Sequence, residues 1–134
     1  MKAPALVAVD QEPEAFAPLF AAAKARGVRI GWLDLVSEIE PPRALAAAEG
    51  AAKAVSARAG RTVVLKPTKG TPVLRDLLRE HFVGYAIVLV SGHEGRPRLS
   101  VDAEGGRLEP GPERSRRLSF DELLAELVRP RHRA

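Results

Sequence analysis

The sequence predicts a three-layer, Rossmann-like α/β sandwich of about four parallel strands, with a C-terminal antiparallel hairpin and four helices. One observation is that helix-like segments alternate with short apolar runs, which lie at residues 5–9, 28–35, 62–65 and 85–90. This alternation is typical of a mostly parallel sheet covered by helices. A second observation is the polar–apolar alternation of residues 98–102, which is typical of a half-exposed antiparallel strand.

The composition favours one folded domain at residues 1–128, followed by a basic tail at residues 129–134. The chain has 134 residues, of which 46% are hydrophobic and 28% are charged, and this balance suits a single hydrophobic core. No apolar run approaches the roughly 20 residues that cross a bilayer. The first apolar run is also too short for a secretory signal peptide. We therefore expect a cytoplasmic protein that does not enter a membrane.

The absence of cysteine excludes disulfides and cysteine-ligated metal sites. The three histidines are scattered and show no metal-ligand spacing, so we predict neither a metal nor a cofactor. The net charge is +4, and the arginines of residues 129–134 supply +3 of it. The rest of the chain is close to neutral and lacks the charge that is typical of a dedicated nucleic-acid-binding domain.

Proline and glycine delimit two helices in the first half of the chain. Pro13 begins the first helix, because its fixed φ suits a first turn, and Gly27 ends it. The apolar face of this helix comprises Phe16, Leu19, Phe20 and Ala23. A long alanine-rich helix is expected at roughly residues 43–59, between a proline pair and Gly60.

Two further helices are expected in the second half. Thr71 is a candidate N-cap for the third helix, which ends at Gly84. A hairpin follows, and residues 110–117 are predicted to form a polar loop. Ser119 and Glu122 then have the spacing of a capping box, which predicts a last helix at about residues 119–128.

The predicted topology brings several polar residues to one edge of the sheet. Parallel strands place their carboxyl ends together, and ligands of such sheets usually bind there. The residues concerned are Asp10, Asp34, residues 66–69 and residues 91–94. Carboxylates, ammonium groups, hydroxyls and an imidazole would then converge in one crevice, where Ser91 is a candidate ligand-binding residue.

The best candidate for an anion site is the segment after the third apolar run. Its candidate ligand-binding residues are Lys66, Thr68, Lys69 and Thr71. Two ammonium groups, two hydroxyls and the N-terminus of a helix form a suitable cradle for a phosphate group. The spacing of a P-loop is absent, and the alternative is a polar connection that Thr71 caps.

The candidate catalytic residues are Asp10 and His93. Asp10 could act as an acid or base or hold a metal or ribose, although aspartate also caps loops through its own backbone. His93 lies beside Ser91 and Glu94 in the sequence, but a working Ser–His arrangement depends on the fold rather than on adjacency. The alternative for His93 is a solvated turn.

Two groups of arginines flank the last predicted helix. Arg114, Arg116 and Arg117 precede it, and the arginines of residues 129–134 follow it. A nucleic-acid backbone or an acidic partner would fit across both groups. The alternative is a solvated loop and a frayed basic tail.

Three functional hypotheses follow from these candidates. The first is a non-catalytic binding or regulatory module that takes a protein partner or a small anionic ligand at the C-terminal edge of its sheet. The second is a small enzyme that acts on a nucleotide or a phosphorylated metabolite. The third is nucleic-acid binding through the two arginine groups. The oligomeric state is left open.

Overall fold

Eight strands account for most of the regular structure in the described part of the chain. The computed structural model describes residues 3–35, 53–65, 73–111 and 113–128. In chain order the strands are β1 (Ala5–Val9), β2 (Ile30–Asp34), β3 (Ala54–Arg58), β4 (Arg61–Leu65), β5 (Ile87–Ser91), β6 (Arg98–Val101), β7 (Gly105–Gly111) and β8 (Arg114–Ser119). The chain divides into a larger unit, Met1–Leu35 with Leu78–Ala134, and a smaller unit, Val36–Leu77.

The larger unit contains a six-stranded sheet in the order β2-β5-β1-β6-β7-β8. β5 pairs in parallel with both β1 and β2, and β1 pairs in parallel with β6. β7 pairs antiparallel with β6 and with β8. The predicted α/β class with a mostly parallel sheet and a C-terminal antiparallel hairpin is therefore confirmed. The strand predicted at residues 98–102 is β6, which pairs antiparallel with β7 as predicted and in addition pairs in parallel with β1, so that it joins the two parts of the sheet.

Three α-helices are present in the described residues, one fewer than predicted. They are α1 (Ala17–Ala25), α2 (Leu74–His81) and α3 (Phe120–Val128). A 3-10 turn at Pro13–Phe16 leads into α1, and Gly27 follows it with φ +70°. These helices confirm three of the predicted segments to within a few residues.

Two predictions of secondary structure and strand pairing differ from the structure of the smaller unit. β3 and β4 form an antiparallel hairpin of their own. The helix predicted at residues 43–59 is therefore wrong over β3, and residues 43–52 lie outside the described part of the chain. The run at residues 62–65 is a strand as predicted, but it does not belong to the six-stranded sheet. The misleading residue is Gly60, whose φ of +84° closes a hairpin here and would equally have ended a helix.

The polar loop predicted at residues 110–117 is also wrong, since β7 extends to Gly111 and β8 begins at Arg114. β8 lies at an edge of the sheet and its side chains are mostly exposed, so no apolar alternation marks it. Its pairing with β7 is interrupted by a register shift between Leu108 and Gly111. The shift is of the kind that a β-bulge produces.

The core of the larger unit lies between one face of the sheet and two helices. Its fully buried side chains include Val7, Val9, Ile87 and Leu89 from the strands. They cluster with Phe16 and Leu19 from the first helical segment and with Leu123, Leu124 and Leu127 from α3. Each such side chain stabilises the fold by roughly 1.5–3 kcal/mol relative to an exposed one.

The predicted capping box at the start of α3 is confirmed. The Ser119 hydroxyl accepts a hydrogen bond of 3.1 Å from the Glu122 backbone N–H. The Glu122 carboxylate in turn accepts one of 2.9 Å from the Ser119 N–H. The hydrogen bond from the Ser119 N–H, and after it the Ser119 hydroxyl, lowers the pKa of the Glu122 carboxyl below its ordinary value. The reciprocal pair fixes the point at which β8 turns into the helix.

Asp102 organises the turn between β6 and β7. Its carboxylate accepts hydrogen bonds from Arg117 and from the backbone N–H groups of Glu104 and Gly105. The second Arg117 nitrogen lies 2.7 Å from the other carboxylate oxygen. The guanidinium first, and the N–H groups with it, hold the pKa of Asp102 far below its usual range. One side chain thus joins the turn to β8.

Replacing Asp102 with asparagine should destabilise the protein at pH 7, and the deficit should shrink in acid. Because the folded-state pKa lies below the ordinary value of 3.8, the contribution of the carboxylate is complete above that value. It is lost as the pH falls towards the folded-state pKa. Urea unfolding of both proteins between pH 7 and pH 2 measures this. A deficit that stays constant over the whole series would contradict the role assigned to Asp102.

Candidate functional site

The three parallel strands β1, β2 and β5 end at the same level. Val9 is in register with Ser91, and Ser91 is in register with Asp34. Since neighbouring strands lie about 4.8 Å apart, the ends of the outer two are roughly 10 Å apart. We call this region, formed by residues 10–11, 34–35 and 91–98, the strand-end site. The site brings together Asp10, Asp34 and Ser91, as the sequence predicts.

Arg98, which the sequence did not single out, connects two parts of the strand-end site. Its guanidinium forms an ion pair with the Asp10 carboxylate and donates a 3.0 Å hydrogen bond to the backbone carbonyl of His93. The Arg98 side chain is only 20% exposed, whereas that of Asp10 is 80% exposed. Asp10 therefore presents a solvent-facing carboxylate whose position is fixed by a mostly buried cation.

Gln11 extends the pairing of β1 with β6 through its side chain. The backbone register of the two strands ends at Val9 and Leu99. Beyond it, the Gln11 amide donates a 2.9 Å hydrogen bond to the Val101 carbonyl and accepts one of 2.7 Å from the Val101 N–H. The side chain thus replaces a peptide group of the ladder. Nothing in the local sequence distinguishes Gln11 from a surface glutamine.

Gly92 holds the loop after β5 against the end of β2. The Leu35 N–H donates a 2.9 Å hydrogen bond to the Ser91 carbonyl. At Gly92, which follows Ser91, φ is +82° and a Cβ would overlap the Leu35 carbonyl oxygen. Only glycine satisfies both the backbone conformation and the close approach. The turn signal in the sequence at residues 91–95 is therefore a fixed corner of the strand-end site.

The imidazole of His93 packs over its own loop. A Cβ on Gly95 would overlap the imidazole ring, so the ring lies directly against that part of the backbone. Asp10 and His93, the two candidate catalytic residues, do meet at Arg98, but His93 does so through its carbonyl. The remaining candidates, Lys66, Thr68, Lys69 and Thr71, lie outside the described residues, and their roles stay predictions.

The described charges of the strand-end site nearly balance. Its carboxylates belong to Asp10, Asp34 and Glu94, and its guanidinium groups to Arg96 and Arg98. Across the described ranges, no group of three or more His, Asp or Glu side chains is placed to hold a metal ion. This surface offers a ligand hydrogen-bond acceptors, a hydroxyl and the braced guanidinium of Arg98.

The first arginine group lies on the strand β8 rather than in a loop. Arg116 forms a 2.8 Å ion pair with Glu126 of α3, and Arg117 is bound by Asp102. The arginines of residues 129–134 lie outside the described residues, so the proposed bridge between the two groups stays a prediction.

The chain matches no model of a known protein family and no curated protein sequence. No helix in the described ranges is long and apolar enough to cross a membrane.

Gly92→Ala should destabilise the protein more than Gly27→Ala does. Both glycines have positive φ, but a Cβ at Gly27 meets nothing within 4 Å. Gly27→Ala should therefore cost only the left-handed backbone term of about 1–2 kcal/mol, while Gly92→Ala also displaces the Leu35 carbonyl. Urea unfolding of the two variants measures the difference. Equal losses in the free energy of unfolding would show that the Leu35 carbonyl can move away from a Cβ at Gly92 without an energetic cost.

Gln11→Ala should destabilise the protein by about 1–3 kcal/mol, because it leaves both Val101 backbone groups without their partner. Glu12→Ala is the control, since the Glu12 side chain makes no capping hydrogen bond. Chemical unfolding of both variants compares them. A loss for Gln11→Ala within about 0.5 kcal/mol of the control would contradict the ladder-extending role.

Proposed function

We propose that the protein is a non-catalytic, Rossmann-like binding or regulatory module that takes a protein partner or a small anionic ligand at the strand-end site. The observation that carries this proposal is the level ending of β1, β2 and β5, with Asp10 and the loop after β5 joined by Arg98. In sheets of this kind, ligands bind outside the carboxyl ends of the strands. A cytoplasmic location is part of the proposal.

The bracing of the strand-end site supports binding. Arg98, Gln11 and Gly92 each fix a different part of it, through an ion pair, a side-chain ladder bond and a glycine-only corner. A surface that is already ordered loses little conformational entropy when a ligand arrives. The solvent-facing carboxylate of Asp10 can also be displaced from Arg98 by the carboxylate or phosphate of a ligand, which leaves the guanidinium paired throughout.

A small anionic ligand would bind the Arg98 guanidinium in place of the Asp10 carboxylate. A protein partner would instead use cations of its own against the carboxylates of Asp10, Asp34 and Glu94. The enzymatic alternative, which acts on a nucleotide or phosphorylated metabolite, is favoured by one observation, the meeting of Asp10 and His93 at Arg98. The packing of the His93 imidazole on its own loop favours the binding module.

A thermal-shift series with inorganic phosphate, nucleoside phosphates and glucose 6-phosphate tests the anion-binding form of the proposal. A ligand at 100 times its Kd should stabilise the folded state by about 2.7 kcal/mol, which is a shift of several degrees at this size. The shift should disappear in Arg98→Gln. Its loss in the double variant Lys66→Ala/Lys69→Ala instead would assign the anion to the segment at residues 66–69. The matched control for that double variant is Lys24→Ala/Lys53→Ala, which removes two lysines elsewhere and should keep the shift.

The other possible results of these experiments distinguish the remaining hypotheses. A shift that both double variants lose equally would mean non-specific attraction to positive charge. If no anion shifts the Tm, the ligand is not a small anion. The partner form of the proposal then predicts that a protein co-purifies with the wild type and that it is lost from Asp34→Arg. Release of phosphate from a nucleoside triphosphate, lost in Asp10→Asn, would establish the enzymatic alternative instead.

A further inference from the structure

β8 forms one edge of the six-stranded sheet, at the opposite end from β2. Arg114, Ser115, Arg116 and Arg117 are all exposed. Within the described ranges, β7 is the only strand that pairs with β8. An exposed edge strand carries a row of backbone donors and acceptors that another extended chain can use.

The hydrogen bonds around the β6–β7 turn identify which groups of β8 face outwards. Gly105 is in register with Ser119. The Gly105 N–H nevertheless donates to the Asp102 carboxylate, and the Gly105 carbonyl accepts from the Asp102 N–H. The Ser119 N–H donates to the Glu122 carboxylate. Gly105 and Ser119 are therefore a non-hydrogen-bonded pair. Backbone groups alternate in direction along a strand, so those of Arg117 also point away from β7. The same holds for Ser115, because β8 is continuous over Arg114–Ser119 and the extra residue of the register shift lies on β7.

The same edge is basic. Arg114 has no ion pair with any described residue, and the side chains of Arg116 and Arg117 remain 55% and 48% exposed beside their partners. Arg117 is also in register with Arg107, and like charges directly opposite each other disfavour a strand pair. The pair is accommodated because Asp102 binds Arg117 and the Ser115 hydroxyl accepts a 3.1 Å hydrogen bond from Arg107.

This charge pattern selects among the chains that can pair with β8. A second copy joined through β8 would bring three arginines against three arginines, which is unfavourable. An extended segment with acidic side chains would instead complete the backbone ladder and place carboxylates beside Arg114 and beside the exposed parts of Arg116 and Arg117. In strand addition, main-chain hydrogen bonds supply affinity and side chains supply selectivity.

We propose that β8 binds an acidic peptide segment as an additional strand, through the outward backbone groups of Ser115 and Arg117 and the charges of Arg114, Arg116 and Arg117. This surface is distinct from the strand-end site, so a result that contradicts one of the two proposals does not contradict the other.

The probe is a fluorescently labelled peptide of eight residues in which glutamate alternates with valine. Two comparison peptides share its length. In one, lysine replaces glutamate. In the other, alternate backbone nitrogens are methylated, which keeps the charge but removes ladder hydrogen bonds. Fluorescence anisotropy with the full chain should show binding of the acidic peptide alone. Its affinity should fall with increasing salt, since the arginines contribute through long-range attraction.

Ser115→Pro and Ser115→Ala form a matched pair of variants. Both remove the hydroxyl, but only proline removes the outward N–H, a position at which an edge strand tolerates it. Ser115→Pro should weaken binding by about fivefold or more, the equivalent of one hydrogen bond, while Ser115→Ala should not differ from the wild type by that factor. Arg114→Glu should weaken binding more than Lys24→Glu, which makes the same change of charge on α1.

The proposal is overturned if the methylated or the lysine peptide binds as well as the acidic one, or if no binding is detected at millimolar peptide. Equal binding by Ser115→Pro and Ser115→Ala would also overturn it. Should Ser115→Pro fail to fold by circular dichroism, the methylated peptide still decides the role of the ladder. A dimer of the wild type that Ser115→Pro abolishes would replace the proposal with self-pairing.

Discussion

The larger unit depends on the burial of β5 between β1 and β2. Four of its residues, Ile87, Val88, Leu89 and Val90, have no exposed surface, and β5 is the only described neighbour of β2 in the sheet. A strand buried on both faces stabilises the fold through its side chains and aligns the strands beside it through its backbone. The level ends of these strands, and hence the strand-end site, follow from that register.

The two halves of the sheet are held to each other by polar contacts that brace the β1–β6 border. Arg98 and Gln11 span this border, one by charge and one by an amide that replaces a peptide group. On the far side, Asp102 and Arg117 connect the turn to the edge strand. These contacts lie near the surface, so the apolar core supplies most of the stability, while the polar contacts add to it locally and determine where loops and strand ends are placed.

The sequence predicts most of the buried elements and few of the exposed ones. Strands β1 and β5 and the helix α3 were predictable, because continuous apolar runs and the capping box of Ser119 and Glu122 are strong local signals. β8 was not, because an exposed edge strand of arginines and serines has no apolar period. In the site, Asp10 and Ser91 were predictable from strand ends, whereas Arg98 and Gln11 act across β1 and β6, whose adjacency no local pattern encodes.

The order of the strands constrains how the chain can assemble during synthesis on the ribosome. β1 and β2 are close in sequence but never touch, because each pairs with β5. The smaller unit, Val36–Leu77, is translated entirely before β5 emerges. Until then the two apolar strands have no partner in the sheet, and long-range pairing of this kind is slow and open to aggregation. The nascent chain therefore carries β1 and β2 without their sheet partner over the whole of this interval.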